Sequence, residues 1–301
     1  MSSPVLEPGF KATAAEWQGL PAIALALPHG DSALVALQGA QVLSWVAGGK
    51  EQLFLSPRAA HDGSTPIRGG IPLCFPQFNQ RGPLVKHGFA RTLAWQADAD
   101  DASVDGDGLR LALRLHDSEA TRAVWPHAFA AELRLLLQPG ALTVELAVHN
   151  TGNAPLAFTA ALHSYLRVDE VTETTLQGFD GLRYWDAVED THPQQQGALA
   201  FGAELDRVYP RPAQAMELHA AGGARLRITQ DPAWADTVVW NPGPALCARL
   251  ADMPADGYRH MLCVEAAAID APVVLAPQGR WQAAQRLQHL PRMAQTPKET
   301  T

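Results

Sequence analysis

The 301-residue sequence predicts an all-β protein, a large antiparallel sandwich. Three observations lead there. Apolar and polar residues alternate with period two through many short runs, turn residues punctuate those runs at regular spacing, and convincing helices are scarce. Strands that follow one another without intervening helices favour a sandwich over alternating β-α units. No internal repeat and no linker divides the chain, so a single domain over residues 1–301 is expected, with a frayed polar tail over residues 292–301.

The first third supplies the runs AIALALP (22–28), SALVALQG (32–39), QVLSWVAGG (41–49) and EQLFLSP (51–57). The segment IRGGIPLCFPQF (67–78) follows, with two glycines and two prolines that forbid a helix and a single cation, Arg68. The acidic stretch DADDASVDGDG (98–108) lacks the ligand order of a calcium loop and reads as a solvated hairpin tip. In LRLALRL (109–115) the leucines share one face and Arg110 and Arg114 the other. SEATRAVW (118–125) is the one short helix, stopped by Pro126. LTVELAVH (142–149) alternates again between QPGA and NTGN turns, and one further strand is expected in LAFTAALHSYLRV (156–168). PAQAMEL (212–218) fits either helix or strand. ARLRITQ (224–230), DTVVWNP (236–242), HMLCVEAAA (260–268) and VVLAP (273–277) complete the series.

Composition removes several function classes. A hydrophobic fraction of 47% supports a full core, and a charged fraction of 18% argues against disorder. Lys plus Arg is 23 against 31 Asp plus Glu, a net charge of −8, which disfavours a general nucleic-acid binder. No run approaches the ~20 apolar residues of a membrane span, and the N-terminus carries no secretory signal. Cys74, Cys247 and Cys263, each among apolar neighbours, suggest reduced thiols in the cytoplasm rather than a disulfide framework. No CxxC or HExxH spacing points to a metal, and no Walker loop or GxSxG elbow is present.

Several residues could carry chemistry, each with a plainer alternative. Glu265 lies in an otherwise apolar strand, where a carboxylate is costly unless it is functional or paired with a buried arginine. His163 lies in the apolar ALHSYLRV and either fills a core position or faces a cleft, where it could exchange a proton near neutrality. His87, before Gly88 in KHGFAR, is a ligand contact or a hydrogen-bonded structural histidine. Arg68 and Arg91 would form an anion site if the fold brought them together, and are surface residues otherwise. Asp206 could simply pair with the adjacent Arg207.

Taken in order, IRGGIPLCFPQF, KHGFARTLAW, SEATRAVWPHAF, LHSYLRV, FDGLRYWD, ELDRVY, DTVVWNP, MLCVEAA and LAPQGRW resemble the aldose 1-epimerase superfamily, within it the branch acting on glucose 6-phosphate. The resemblance runs from about residue 20 to residue 285. It implies a β-supersandwich of the galactose mutarotase-like type, with the sugar on its concave face. It also implies Glu265 as general base, His163 as general acid, His87 as a second histidine on the sugar, Asp206 as a carboxylate holding hydroxyls, and Arg68 and Arg91 as the cations for a phosphorylated substrate. Lys86 stands where many members carry glutamine, and would add a third cation if it faces the site. The implied activity is interconversion of the α and β anomers of hexose 6-phosphates by acid–base ring opening and closure, with no cofactor and no metal. The expected partner is a small sugar phosphate, not nucleic acid or membrane, and the expected state is a monomer. An aldose 1-epimerase for unphosphorylated hexoses and a non-catalytic carbohydrate binder are the alternatives.

Overall fold

A computed structural model describes residues 6–291; the polar tail from residue 292 lies outside them. Strands dominate, and all pairings are antiparallel. They form sheets of five, nine and seven strands. The five-stranded sheet uses residues 11–51. The nine-stranded sheet is centred on Arg280–Leu290, Ala141–Asn150, Phe129–Gln138 and Gly108–His116. The seven-stranded sheet runs in the order Trp185–Asp186, Leu205–Pro210, Asp236–Asn241, Met261–Leu275, Leu156–Leu162 and Leu73–Cys74, with Tyr165–Arg167 also paired to Met261–Leu275.

Alternation decides which faces meet. Leu109, Leu111, Leu113, Leu133, Leu135, Leu142, Val144 and Leu146 point inward from the nine-stranded sheet. They share one apolar cluster with Leu162, Leu166, Val239, Leu262, Val264 and Ala266 of the seven-stranded sheet. Arg114, Glu132, Arg134 and Glu145 on the outer face form a ladder of ion pairs, as period two requires of a strand with one dry face. The helix Glu119–Val124 has a capping box between Ser118 and Thr121 and ends before Pro126. No helix of the described residues is long and apolar enough to cross a membrane.

Four expectations change. EQLFLSP is not a strand beyond Glu51; Leu53 and Leu55 make only isolated bridges, to Leu166 and Gly69. PAQAMEL resolves as the strand Met216–His219. HMLCVEAAA and VVLAP are one strand, Met261–Leu275, whose register against Leu156–Leu162 shifts between Phe158 and Ala160. LAFTAALHSYLRV is two strands, Leu156–Leu162 and Tyr165–Arg167, separated at His163 and Ser164. There His163 N–H donates to Pro72 O at 2.9 Å, while Ser164 O still accepts from Val264 N–H of the neighbouring strand at 3.1 Å.

Pro72 belongs to IRGGIPLCFPQF, which threads between the sheets. Ile71 bridges Val42, Gly69 bridges Leu55, and Leu73–Cys74 pairs with Ala161 and Leu162. Gly70 has φ 63°, and a Cβ there would sit 2.1 Å from Val42 O, inside backbone that cannot move aside. Phe75 is fully buried and packs edge-on to Trp125, Phe129 and Phe158. The short helix therefore ends in a side chain, Trp125, that supports this segment from below.

Candidate active site

The seven-stranded sheet turns one face to the core and the other to the site. Leu162 pairs with Ala266 and Tyr165 with Cys263, so the register continues unchanged across the break and sets His163 opposite Glu265. Glu265 pairs in turn with Val238, and Cys263 with Trp240, which pairs with Asp206. Residues opposite each other, or two apart along a strand, share a face. His163, Tyr165, Glu265, Cys263, Trp240 and Asp206 therefore lie on one face, while Leu162, Val264 and Ala266 lie in the core behind them.

His163 Nδ1 stands 3.3 Å from Glu265 Oε1. Both residues are buried, at 8% and 1% exposure. Among the described residues no arginine pairs with Glu265; the imidazole lies beside it. The His163 ring stacks on Tyr165 at 4.8 Å and meets Trp240 and His87 edge-on at 5.9 and 5.6 Å. His163 Nδ1 and Glu265 Oε2 have no hydrogen-bond partner of good geometry. Burial, helped by the Asp206 charge, pushes the Glu265 carboxyl well above its usual range. Burial, then His87, Arg68 and Arg91, push His163 well below the ordinary imidazole range. Behind the pair, Ser164 Oγ donates to Gln285 Oε1 at 2.6 Å and Gln285 Nε2 donates to Val264 O, which fixes the two strands to each other.

His87 sits in a tight turn with φ 65°, followed by Gly88 at φ 69°, where a Cβ would lie 2.2 Å from Phe75 O. Such a conformation is uncommon on a non-glycine residue. Its Nδ1 accepts from the Asn79 N–H at 3.3 Å and lies 3.1 Å from Cys74 Sγ. A ring that accepts at Nδ1 carries its proton on Nε2 when neutral. Burial, and the charges of Arg91, Lys86 and Arg68, lower its pKa to about 3, so His87 is a neutral donor.

The cations cluster around these rings. Arg68 is half-buried and already engaged: its Nε donates to Asp252 Oδ2 at 3.0 Å and a terminal nitrogen donates to Tyr165 OH at 2.9 Å. Arg91 donates to Lys86 O at 2.7 Å, its Nε is buried without a partner, and burial holds the guanidinium below its usual pKa. Lys86 is exposed, yet its charge is felt at both His87 and Asp206. Asp206 does not pair with Arg207, which points to the opposite face and reaches Asp186 at 3.3 Å. Burial and the charge of Glu204 raise the Asp206 carboxyl to about 6.

Comparison with known proteins gives the family. The sequence profile of the aldose 1-epimerase family matches residues 21–288. The chain belongs to the aldose 1-epimerase family. Within it, the chain is 37% identical over 246 residues to a Salmonella typhimurium protein named "Putative glucose-6-phosphate 1-epimerase", covering 79% of this chain and 80% of that one. A Cenchrus ciliaris protein of the same name is 33% identical over 273 residues, covering 88% and 83%. The crystal structure of a "putative mutarotase" from Salmonella typhimurium superposes with a TM-score of 0.85 at 33% identity over 94% of both chains. A galactose mutarotase-like protein from Clostridium acetobutylicum, at 14% identity and a TM-score of 0.73 over 95% and 100%, shares the fold. This aldose 1-epimerase family member thus has the galactose mutarotase-like sandwich that its sequence resembles.

Four site residues escape a reading of the sequence. Tyr165 and Trp240 enclose the His163 ring, Asp252 holds Arg68, and Cys263 lies beside Glu265. Tyr165, Trp240 and Cys263 were within reach of register: once His163 and Glu265 are set opposite each other, period two brings all three onto the same face. Asp252 lies in a loop after the short helix Gly243–Cys247 and carries no local signal.

Proposed function

We propose that this protein interconverts the α and β anomers of hexose 6-phosphates, glucose 6-phosphate foremost, by acid–base opening and closing of the sugar ring. The observation that carries the reading is His163 facing Glu265 at 3.3 Å in a dry seat.

Anomer exchange needs the O1 proton removed and a proton delivered to the ring oxygen O5. A carboxylate and an imidazolium, one proton between them, are sufficient. Glu265 takes the O1 proton, the C1–O1 bond becomes a carbonyl, the C1–O5 bond breaks, and His163 protonates O5. Rotation about C1–C2 presents the other carbonyl face, and the reverse transfers close the ring with the roles exchanged. Each group contributes about 10²–10⁴-fold in such a role. Burial disfavours charge on both, which makes the Glu265 carboxylate a stronger base toward the O1 proton and the His163 imidazolium a stronger acid toward O5. The partnerless Glu265 Oε2 and His163 Nδ1 gain hydrogen bonds only when a substrate supplies them.

The remaining residues hold the sugar. His87 donates Nε2–H to a sugar oxygen, and Asp206 accepts from hydroxyls. Arg68, Arg91 and Lys86 receive the 6-phosphate, whose charge matches a cluster of cations in a protein of net charge −8. Anchoring the phosphate fixes C6 while C1–C2 turns, which keeps the open aldehyde from leaving. In the same reading the chain is one domain that acts as a cytoplasmic monomer. The three buried free thiols support a reducing compartment.

Magnetisation exchange between the two anomeric proton signals of glucose 6-phosphate tests the proposal. Added protein should accelerate exchange on the phosphate ester far more than on free glucose. Equal acceleration on both would move the assignment to unphosphorylated hexoses, and none on either would leave a carbohydrate-binding protein.

A further inference from the structure

The catalytic pair has a third neighbour that ring opening does not use. Cys263 stands two residues before Glu265 on the same strand, so both side chains leave the same face. His163, Cys263 and Glu265 each offer one ligand atom, and the three atoms lie within 4.8 Å of one another. All three residues are buried. Two of the donors, His163 Nδ1 and Glu265 Oε2, are buried polar atoms without a hydrogen-bond partner.

A nitrogen, a sulfur and a carboxylate oxygen form a donor set suited to zinc, with bonds of about 2.0–2.3 Å. Tetrahedral bonds of ~2.05 Å to nitrogen and oxygen set those atoms ~3.3 Å apart, and His163 Nδ1 and Glu265 Oε1 are 3.3 Å apart already. The thiol, whose sulfur lies within 4.8 Å of both, closes the third corner by moving inward, and water takes the fourth. The neutral imidazole needs no deprotonation to bind. The thiol, held protonated by burial, releases its proton to solvent as the ion's charge replaces it, and the carboxyl does the same where it carries one.

We infer that this site binds Zn²⁺ or another thiophilic divalent cation through His163, Cys263 and Glu265, and that the ion excludes the sugar. Ligation occupies the lone pairs that would take up the O1 proton and carry the proton to O5. Such an ion is therefore an inhibitor competitive with the sugar. This inhibitory arm rests on the proposed mutarotase activity; the binding arm does not.

Co²⁺ is the probe for the binding arm. Added to the full-length protein, it should produce a thiolate-to-cobalt charge-transfer band with the visible bands of a tetrahedral ion, and Zn²⁺ should remove both. Cys263→Ser should lose the charge-transfer band, while Cys74→Ser and Cys247→Ser keep it. In the second arm, Zn²⁺ should slow glucose 6-phosphate anomer exchange competitively and a chelator should restore it. In Cys263→Ala, whatever its basal rate, anomer exchange should no longer respond to Zn²⁺. Absence of the band in the wild type, or its survival in Cys263→Ser, overturns the site. Zn²⁺ inhibition that persists unchanged in Cys263→Ala overturns the inhibitory role. A protein that exchanges no anomers yet shows the cobalt band would overturn the activity and leave the metal site standing. If Cys263→Ser fails to fold, loss of the wild-type band on adding iodoacetamide, with Cys74 and Cys247 replaced together, gives the same answer.

Discussion

Arg68 Nε lies 3.0 Å from Asp252 Oδ2, so the cation at the head of IRGGIPLCFPQF is paired before any ligand arrives. The same guanidinium donates to Tyr165 OH, and Tyr165 stacks on His163. Arg68 is thereby oriented from two sides, with Asp252 at one edge and the His163 imidazole behind its second partner. Arg91 differs: its Nε is buried with no partner, and Lys86 O occupies one terminal nitrogen.

Arg91→Ala should therefore separate phosphate recognition from catalysis most cleanly. A charge-assisted hydrogen bond contributes about 1.5–3 kcal/mol, so kcat/KM for glucose 6-phosphate should fall by roughly 10- to 100-fold. Free glucose should be affected only a few-fold. Anomer exchange on the two sugars measures this, and equal losses on both would show that Arg91 does not hold the phosphate.

The raised carboxyl of Asp206 makes a prediction about stability. Its folded-state pKa, about 6, lies above the ordinary value of 3.8. A raised group favours folding in its protonated form, so its contribution is fully present below about pH 4 and is lost as the pH rises through about 6. Asp206→Asn keeps the neutral form at every pH. Thermal unfolding of the sugar-free variant should match the wild type at acid pH and exceed it at pH 8, by up to about 2 kcal/mol allowing for water at the half-buried side chain. A variant less stable than the wild type at pH 8 would contradict this.

His87, lowered to about 3, should remain neutral with its proton on Nε2 throughout the range in which exposed histidines titrate. Nitrogen-15 chemical shifts of the imidazoles test it. A His87 ring that gains a proton between pH 7 and pH 5 would remove the neutral-donor role.

Gly70→Ala should destabilise the protein by roughly 3 kcal/mol or more, since a left-handed alanine costs ~1–2 kcal/mol before any clash is counted. The added Cβ would meet Val42 O, a backbone atom within the five-stranded sheet. Chemical denaturation measures the loss, and a variant as stable as the wild type would show that the segment can shift.

Most of the strand architecture was legible because period two marks every strand with one wet face, as in LRLALRL and LTVELAVH. Which residues share a face was not legible where a strand is dry on both sides. MLCVEAAA reads as a continuous apolar run because Leu262, Val264 and Ala266 face the core while Met261, Cys263 and Glu265 face the protected site. Alternation there is invisible, and only the carboxylate betrays the second face. The interruption at His163 and Ser164 was hidden for a related reason: the His163 N–H is taken by Pro72 O, more than ninety residues away, and that leaves no local mark. Site residues announced by unusual chemistry, such as Glu265 and His163, could be named in advance. Asp252, an ordinary acid in an ordinary loop, could not.

The central claim is that Glu265 and His163 exchange protons with the two oxygens on C1. Glu265→Gln tests it most directly, because the amide matches the carboxyl in shape and burial already favours an uncharged group there. Anomer exchange of glucose 6-phosphate, followed by magnetisation transfer, should fall by at least about 10²-fold while thermal stability stays at or above that of the wild type. Near wild-type exchange in a folded Glu265→Gln protein would contradict the account.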